Sequence, residues 1–159
     1  MTTQMKNRIW WLLPLALMIA IWFFSSRPSD ESSMMSTEVI LALLRIIERF
    51  SPGIDRDFWT QVLSYPVRKL AHMTEFTAFY GSLILAMRKN GVGNNAFKAL
   101  GLTFLYACMD EYHQTFVPGR VGCVEDVMID CLLPLILLLV HLAGWQRRKK
   151  DKSKTRLSH

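Results

Sequence analysis

Ionisable residues recur at helical spacing in three stretches of this 159-residue chain, and their types can bind anions, hold cations or move protons. Arg68, His72 and Glu75 fall at i, i+4 and i+7, with Lys69 beside them. Asp110, His113 and Gln114 fall at i, i+3 and i+4, with Glu111 adjacent, and Asp126 and Asp130 stand one turn apart. Residues three and four apart share a helix face, so each set forms a stripe. Arg120 follows the second stripe in Val117-Pro118-Gly119-Arg120, where Pro fixes one backbone angle and Gly permits a tight reversal. Three chemistries are open to such a collection. Arg68, Lys69 and Arg120 suit a phosphate or carboxylate. His72 or His113 suits proton transfer, with Glu75, Asp110 and Glu111 as orienting or acidic partners. Glu111, His113, Asp126 and Asp130 are donors that a divalent cation accepts. The plainer alternative is that these groups are ion pairs holding helices together. No nucleophile motif around Ser, Thr or Cys and no complete metal-ligand motif is recognisable.

The apolar blocks decide what positions the stripes. Hydrophobic residues make up 51% of the chain and mean hydropathy is +0.19, which separates no class; their arrangement does. Ile9 to Ser26 carries no charge and reaches ~27 Å as a helix at ~1.5 Å per residue, with Trp10, Trp11 and Trp22 near its ends where indoles favour a membrane boundary. Arg68 to Met87, Ala96 to Phe116 and Val124 to Trp145 are each about long enough to cross a bilayer. The middle two have uninterrupted apolar ends at Phe76 to Met87 and Ala99 to Met109, and Cys131 to Ala143 is broken only by His141. The expected fold is all-α: a polytopic bundle of four transmembrane helices over about 9–26, 68–87, 96–116 and 124–145, in one domain spanning 1–159.

Charge sidedness supports that layout. Residues 1–8, the turn from Arg88 to Lys98 and the tail 146–159 hold Lys6, Arg8, Arg88, Lys89, Lys98 and seven basic residues from Arg147 to Arg156, which is 12 of the 19 Lys and Arg. Of the 13 acids only Asp151 lies there. Positive charge near membrane ends is retained on the cytoplasmic side, so four crossings with both termini inside satisfy the rule at every connection. Helix two then begins outside, helix three ends outside and helix four begins outside. All three stripes fall in the outer half of the membrane, where unpaired ionisable groups are costly and should face one another. Pro134 leaves the Asp130 carbonyl without its helical donor beside that pocket.

The outer connection, 27–67, opens with turn-type residues from Arg27 to Ser33. Ser36 to Phe50 then reads as a helix capped by Ser36 or Thr37, with Glu38, Arg45, Glu48 and Arg49 on one face and Ile40, Leu43, Leu44, Ile47 and Phe50 on the other. Its expected place is the surface of the outer leaflet. Cys108, Cys123 and Cys131 lack CxxC spacing, which argues against a disulfide framework and a structural zinc site. A basic tail directly after a membrane helix points to anionic lipid, and no nucleic-acid partner is expected. The N-terminal block lacks a good cleavage site after Phe24-Ser25-Ser26 and is expected to be an uncleaved anchor.

These residues resemble a known family. Asp110-Glu111-Tyr112-His113-Gln114-Thr115-Phe116-Val117-Pro118-Gly119-Arg120, followed by Asp126 and Asp130, looks like the signature of VanZ-like membrane proteins. Arg68-Lys69-Leu70-Ala71-His72-Met73-Thr74-Glu75-Phe76 and Phe24-Ser25-Ser26 fit the same pattern, and Leu133 departs from it where a small residue is expected. The resemblance runs from about residue 10 to 143. It implies a small integral protein of the bacterial inner membrane. The family's namesake accompanies glycopeptide-resistance genes and is linked with lowered teicoplanin susceptibility, and the family implies no particular reaction.

Two readings of function stay open on this basis. In one, an outward pocket lined by the eleven residues of the stripes and Arg120 binds a lipid headgroup or a lipid-linked envelope precursor and modulates the envelope. In the other, a membrane-embedded hydrolase or transferase uses His72, His113, Glu75, Asp110 and Glu111 on such a lipid. A transporter is the weakest alternative, because no inverted repeat is visible. No organic cofactor is expected, a divalent cation stays open, and the oligomeric state is not legible.

Overall fold

The computed structural model describes the backbone of residues 7–157 apart from Pro52 and Asn94, and side chains as far as Gly144. Among the described residues there are five α-helices and no strand. We label them α1 (Leu12–Ser25, entered through a 3₁₀ turn, Ile9–Trp11), α2 (Ser29–Ile47), α3 (Arg56–Lys89), α4 (Asn95–Gln114) and α5 (Val124–Leu157).

α3 is the axis of the fold, since it packs against every other helix. It begins well before the expected Arg68, because the Asp55 side chain accepts the Phe58 N–H at 3.0 Å and caps its first turn. Pro66 sits inside it without ending it. At the other end Arg88 and Lys89 oppose the dipole, and the Asn90 amide donates to the Ala86 carbonyl at 2.8 Å and the Asn7 carbonyl at 3.0 Å. Its apolar half, Phe76, Phe79, Tyr80, Leu83 and Met87, forms the core with Ile21 of α1, Ala99, Tyr106 and Ala107 of α4, and Val127 and Cys131 of α5. The Tyr106 hydroxyl donates to the Met18 carbonyl at 2.6 Å, fastening α4 to α1 inside that core. Met109, by contrast, is 60% exposed.

α2 differs from expectation at both ends. It starts at Ser29, with Pro28 supplying the extended cap residue and Asp30 and Glu31 placing negative charge in the first turn. Ser36 is therefore no cap: it lies within the helix, and its hydroxyl donates to the Ser32 carbonyl at 3.0 Å. α2 turns through 107° from α1 across a short break. Ile40 and Leu44 are buried, whereas Leu43, Ile47 and Phe50 are exposed, so the expected single apolar face is divided between the bundle and the outside. Glu48, just past α2, is clasped by Arg56 at the start of α3, and that guanidinium holds its carboxyl below the ordinary carboxylate range.

Of the expected spans, Val124–Gly144 is by itself long and apolar enough to cross a membrane, and Ile9–Ser25 with Ser29–Ile47 forms a bent pair of the same character. α3 and α4 carry the ionisable stripes, which lowers their apolar score. Large apolar side chains nevertheless cover the outside of α1, α4 and α5, among them Leu12, Leu15, Ile19, Phe23, Leu102, Leu105, Leu132, Leu135 and Leu139.

The loop between α4 and α5 is held by close backbone approach. A Cβ on Gly122 would overlap the Glu111 carbonyl oxygen and stand 2.6 Å from Thr115 Cγ2, while one on Gly81, inside α3, would meet nothing within 4 Å. Gly122→Ala should therefore destabilise the protein by about 1–3 kcal/mol through overpacking. Gly81→Ala should be neutral or stabilising by up to ~1 kcal/mol through helix propensity. Thermal unfolding of the two purified variants beside wild type checks the contrast.

Candidate functional site

The site is built around Asp110, which is 0% exposed on the inner face of α4. Its Oδ2 accepts from the Ser25 hydroxyl at the end of α1 at 2.8 Å and from the Gln114 amide one turn further along α4 at 2.9 Å. His72 on α3 brings Nε2 to 3.2 Å from the same oxygen and to 3.5 Å from Asp130 Oδ2 on α5. Its Nδ1 lies 3.4 Å from Glu75 Oε2, one turn along α3, and its ring meets Phe76 edge-on. Three helices thus deliver carboxylates or their donors to one imidazole. The pairing is incomplete, for His72 Nε2, Asp110 Oδ1 and both Asp130 oxygens are buried without a hydrogen-bond partner of acceptable geometry.

Gln114 links this floor to the rim, since its Oε1 accepts from Arg120 Nη1 at 3.2 Å. Gly119, at φ +73°, makes the reversal that turns Arg120 back toward the helices. Arg120 Nε then donates to the Arg27 carbonyl at 2.9 Å, and Nη2 reaches the Phe24 carbonyl at 3.4 Å. The guanidinium so closes the C-terminal end of α1, where carbonyls are unsatisfied and the dipole favours a cation. Ser29 N–H donates to the Pro118 carbonyl at 3.2 Å, tying the start of α2 to the same loop. Arg68 donates from Nη2 to Ser33 Oγ at 2.9 Å, and Lys69 pairs with Asp126. Glu111 Oε2 accepts the Cys123 N–H at 3.0 Å.

Between α2, α3 and the α4–α5 loop these groups enclose a cavity of about 400 Å³. Arg68, Lys69, His72, Glu75, Glu111, Gln114, Arg120 and Asp126 line it, and Asp110 and Asp130 lie behind His72. One expected member departs. His113 stacks on Trp22 with ring centroids 3.8 Å apart, and its Nε2 lies 3.0 Å from Ser26 Oγ, so it faces α1 rather than the cavity. The metal-donor set shifts accordingly. Among the described residues, the group whose ligand atoms come together within 4.8 Å is His72, Asp110 and Glu111, in place of a set containing His113.

Sequence reasoning overlooked the serines. Ser25, Ser29, Ser32 and Ser36 all line the cavity. Their spacing of four, three and four is the helical repeat that identified the charged stripes, so the signal was present. It was hidden because 27–33 reads as a turn.

A family model described as VanZ/LLP1 matches residues 10–144. No curated protein and no solved structure matches the chain.

The bond from Ser25 to Asp110 joins α1 to a buried carboxylate, whereas that between Ser26 and His113 is exposed. Ser25→Ala should destabilise the protein by about 1.5–3 kcal/mol, the range for a hydrogen bond to a charged group. Ser26→Ala should lie below ~1 kcal/mol, because water replaces an exposed partner. Equilibrium unfolding checks both values, and a non-zero coupling energy between Ser25→Ala and Asp110→Asn in a double-mutant cycle tests the contact itself.

Proposed function

The chain belongs to the VanZ/LLP1 family, and from that premise we propose that it is a multi-pass protein of the bacterial inner membrane whose cavity binds an anionic lipid headgroup or lipid-linked envelope precursor. The observation that carries this reading is a pair of arginines. Arg68 and Arg120 line one cavity, and among the described residues neither has a carboxylate within ion-pair distance. Arg68 Nε is buried with no partner at all. Burial, and then the neighbouring Arg68 charge, push Arg120 below the ordinary arginine value. An anion between the two guanidiniums would relieve that repulsion and use their unspent donors, and phosphate is the group their planar forks suit best.

The rest of the cavity wall fits the remainder of such a ligand. Ser29, Ser32 and Ser36 offer hydroxyls beside the rim, and Met35, Val39 and Tyr65 offer apolar surface between α2 and α3. A headgroup could therefore sit among the serines while its acyl chains leave along the apolar side. The exposed apolar side chains of α1, α4 and α5 support residence in a bilayer, since soluble proteins rarely expose patches beyond a few hundred Å². In this reading the spans are 9–26, 68–87, 96–116 and 124–145, both termini are cytoplasmic, and α2 lies at the outer surface. Bound envelope lipid is the means by which the protein would modulate the envelope.

Two measurements test it. In a cysteine-free background, a cysteine at Asp57 should react with an impermeant reagent from outside intact cells, and one at Arg88 only after permeabilisation; outside labelling at Arg88 would break the topology. For the ligand, detergent-purified protein should bind short-chain phosphatidylglycerol in preference to phosphatidylcholine, read by thermal shift or titration. Arg68→Ala should weaken that binding at least tenfold, about 1.4 kcal/mol, and Arg45→Ala, at an exposed position on α2, should leave it unchanged. Equal binding by wild type and Arg68→Ala would defeat the headgroup reading.

A further inference from the structure

We propose that the floor of the cavity is a divalent-cation site made by His72 Nε2 and the carboxylates of Asp110, Glu111 and Asp130. Its starting point is what the cluster leaves unexplained. Asp110 and Asp130 are each 0% exposed, yet Asp110 Oδ1 and both oxygens of Asp130 have no hydrogen-bond partner. Buried carboxylate oxygens in that condition are strongly disfavoured unless a cation meets them. The basic groups nearby are otherwise engaged. Lys69 pairs with Asp126, and Arg68 and Arg120 bond to Ser33, Gln114 and backbone carbonyls.

Geometry suits a small metal ion. The candidate ligand atoms of His72, Asp110 and Glu111 lie within 4.8 Å of one another. Bonds of ~2.0–2.2 Å need donor atoms no further apart than about 4.4 Å, so the cluster has only to contract slightly around an ion. Asp130 Oδ2, 3.5 Å from His72 Nε2, lies beside the same point.

The surroundings also hold each ligand in readiness. Glu75 faces His72 Nδ1 at 3.4 Å, which favours a proton there and leaves the Nε2 lone pair directed at the carboxylates. A carboxylate behind a histidine in this way both orients it and raises its basicity as a ligand. Ser25 and Gln114 hold Asp110 through Oδ2 and leave Oδ1 free; the Cys123 N–H holds Glu111 through Oε2 and leaves Oε1 free. One imidazole nitrogen with carboxylate oxygens suits Zn²⁺ or Mn²⁺, and the absence of a thiolate from the set disfavours softer ions. His72 and Glu111 line the cavity, which gives an ion its way in. The inference does not depend on the headgroup reading, because none of these ligands belongs to the arginine rim.

The full chain, purified in detergent, equilibrated with Zn²⁺ or Mn²⁺ and then dialysed, should retain about one equivalent of one of them by elemental analysis. Titration calorimetry should show Asp130→Asn and His72→Gln binding at least tenfold more weakly. Glu75→Gln keeps every ligand and the fold, and it should still lose about 10–100-fold in affinity, the usual effect of removing a histidine's outer partner. Arg68→Ala should bind the metal like wild type. The proposal is overturned if wild type retains neither ion, which would make His72 a protonated counter-ion to its carboxylates. It is equally overturned if folded Glu75→Gln and Asp130→Asn both match wild-type affinity, since the ion would then sit elsewhere. Metal retained without binding of phosphatidylglycerol would refute the headgroup reading alone, and the reverse result would refute this inference alone.

Discussion

Everything in the outer half of the molecule is arranged around the burial of one carboxylate. Asp110 has no access to solvent, and an isolated charge in that position would be strongly destabilising. It is tolerated because α1 supplies Ser25, α4 supplies Gln114 and α3 supplies His72, all directed at the same oxygen. Such a contact constrains the helices that make it. If α1 slid by one residue, Ser25 would leave Asp110 and an apolar side chain would take its place, because Phe24 precedes it and Ser26 already serves His113. Removing one partner from a buried charge is more damaging than never having built the pair, so the arrangement opposes alternative packings more than it adds net stability.

From that point the order spreads outward through a chain of hydrogen bonds. Gln114 uses its amide on Asp110 and its carbonyl on Arg120, and Arg120 in turn satisfies the carbonyls at the end of α1. The helix that donates Ser25 is therefore finished by the same network that Ser25 enters. The consequence reaches α2 as well. Its first N–H is taken by the Pro118 carbonyl, so the loop that aims Arg120 also fixes where α2 begins and how the cavity wall is set. Gly119 is needed for the positive φ of the reversal, and Gly122 for the approach to Glu111, so each glycine serves a separate part of one device.

Much of this could be read from residue spacing, and the failures have physical causes. Helical periodicity joined Arg68, His72 and Glu75 on one helix and Asp126 and Asp130 on another, and the structure brings members of both stripes to a single imidazole. Periodicity could not tell which way His113 would face. One residue of rotation separates the Asp110–Gln114 side of α4 from the side facing Trp22, and only the position of α1 decides it. The start of α2 was misjudged because Ser, Asp and Glu in a row favour a turn locally. Here those same residues follow a Pro and occupy the first helical turn, where acidic side chains stabilise the dipole. The early start of α3 was missed for a related reason, since a single Asp55 cap outweighs the proline ten residues on.

The distribution of charge within the cavity carries the last step. Its acids and bases are not mixed at random: Arg68 and Arg120 stand at the rim, Lys69 and Asp126 neutralise each other between, and Asp110, Glu111 and Asp130 cluster at the depth of His72. A set of groups selected only to hold helices together would pair each acid with the nearest base, because separated charges at low dielectric gain the most from contact. Here the unpaired bases and the unpaired acids are kept apart on one short axis, with Gln114 as a neutral link. Such a separation stores electrostatic potential of opposite sign at the two ends of a space that could hold one small ligand. It is intelligible as preparation for a phosphate above and a cation below, and it has no corresponding explanation as packing.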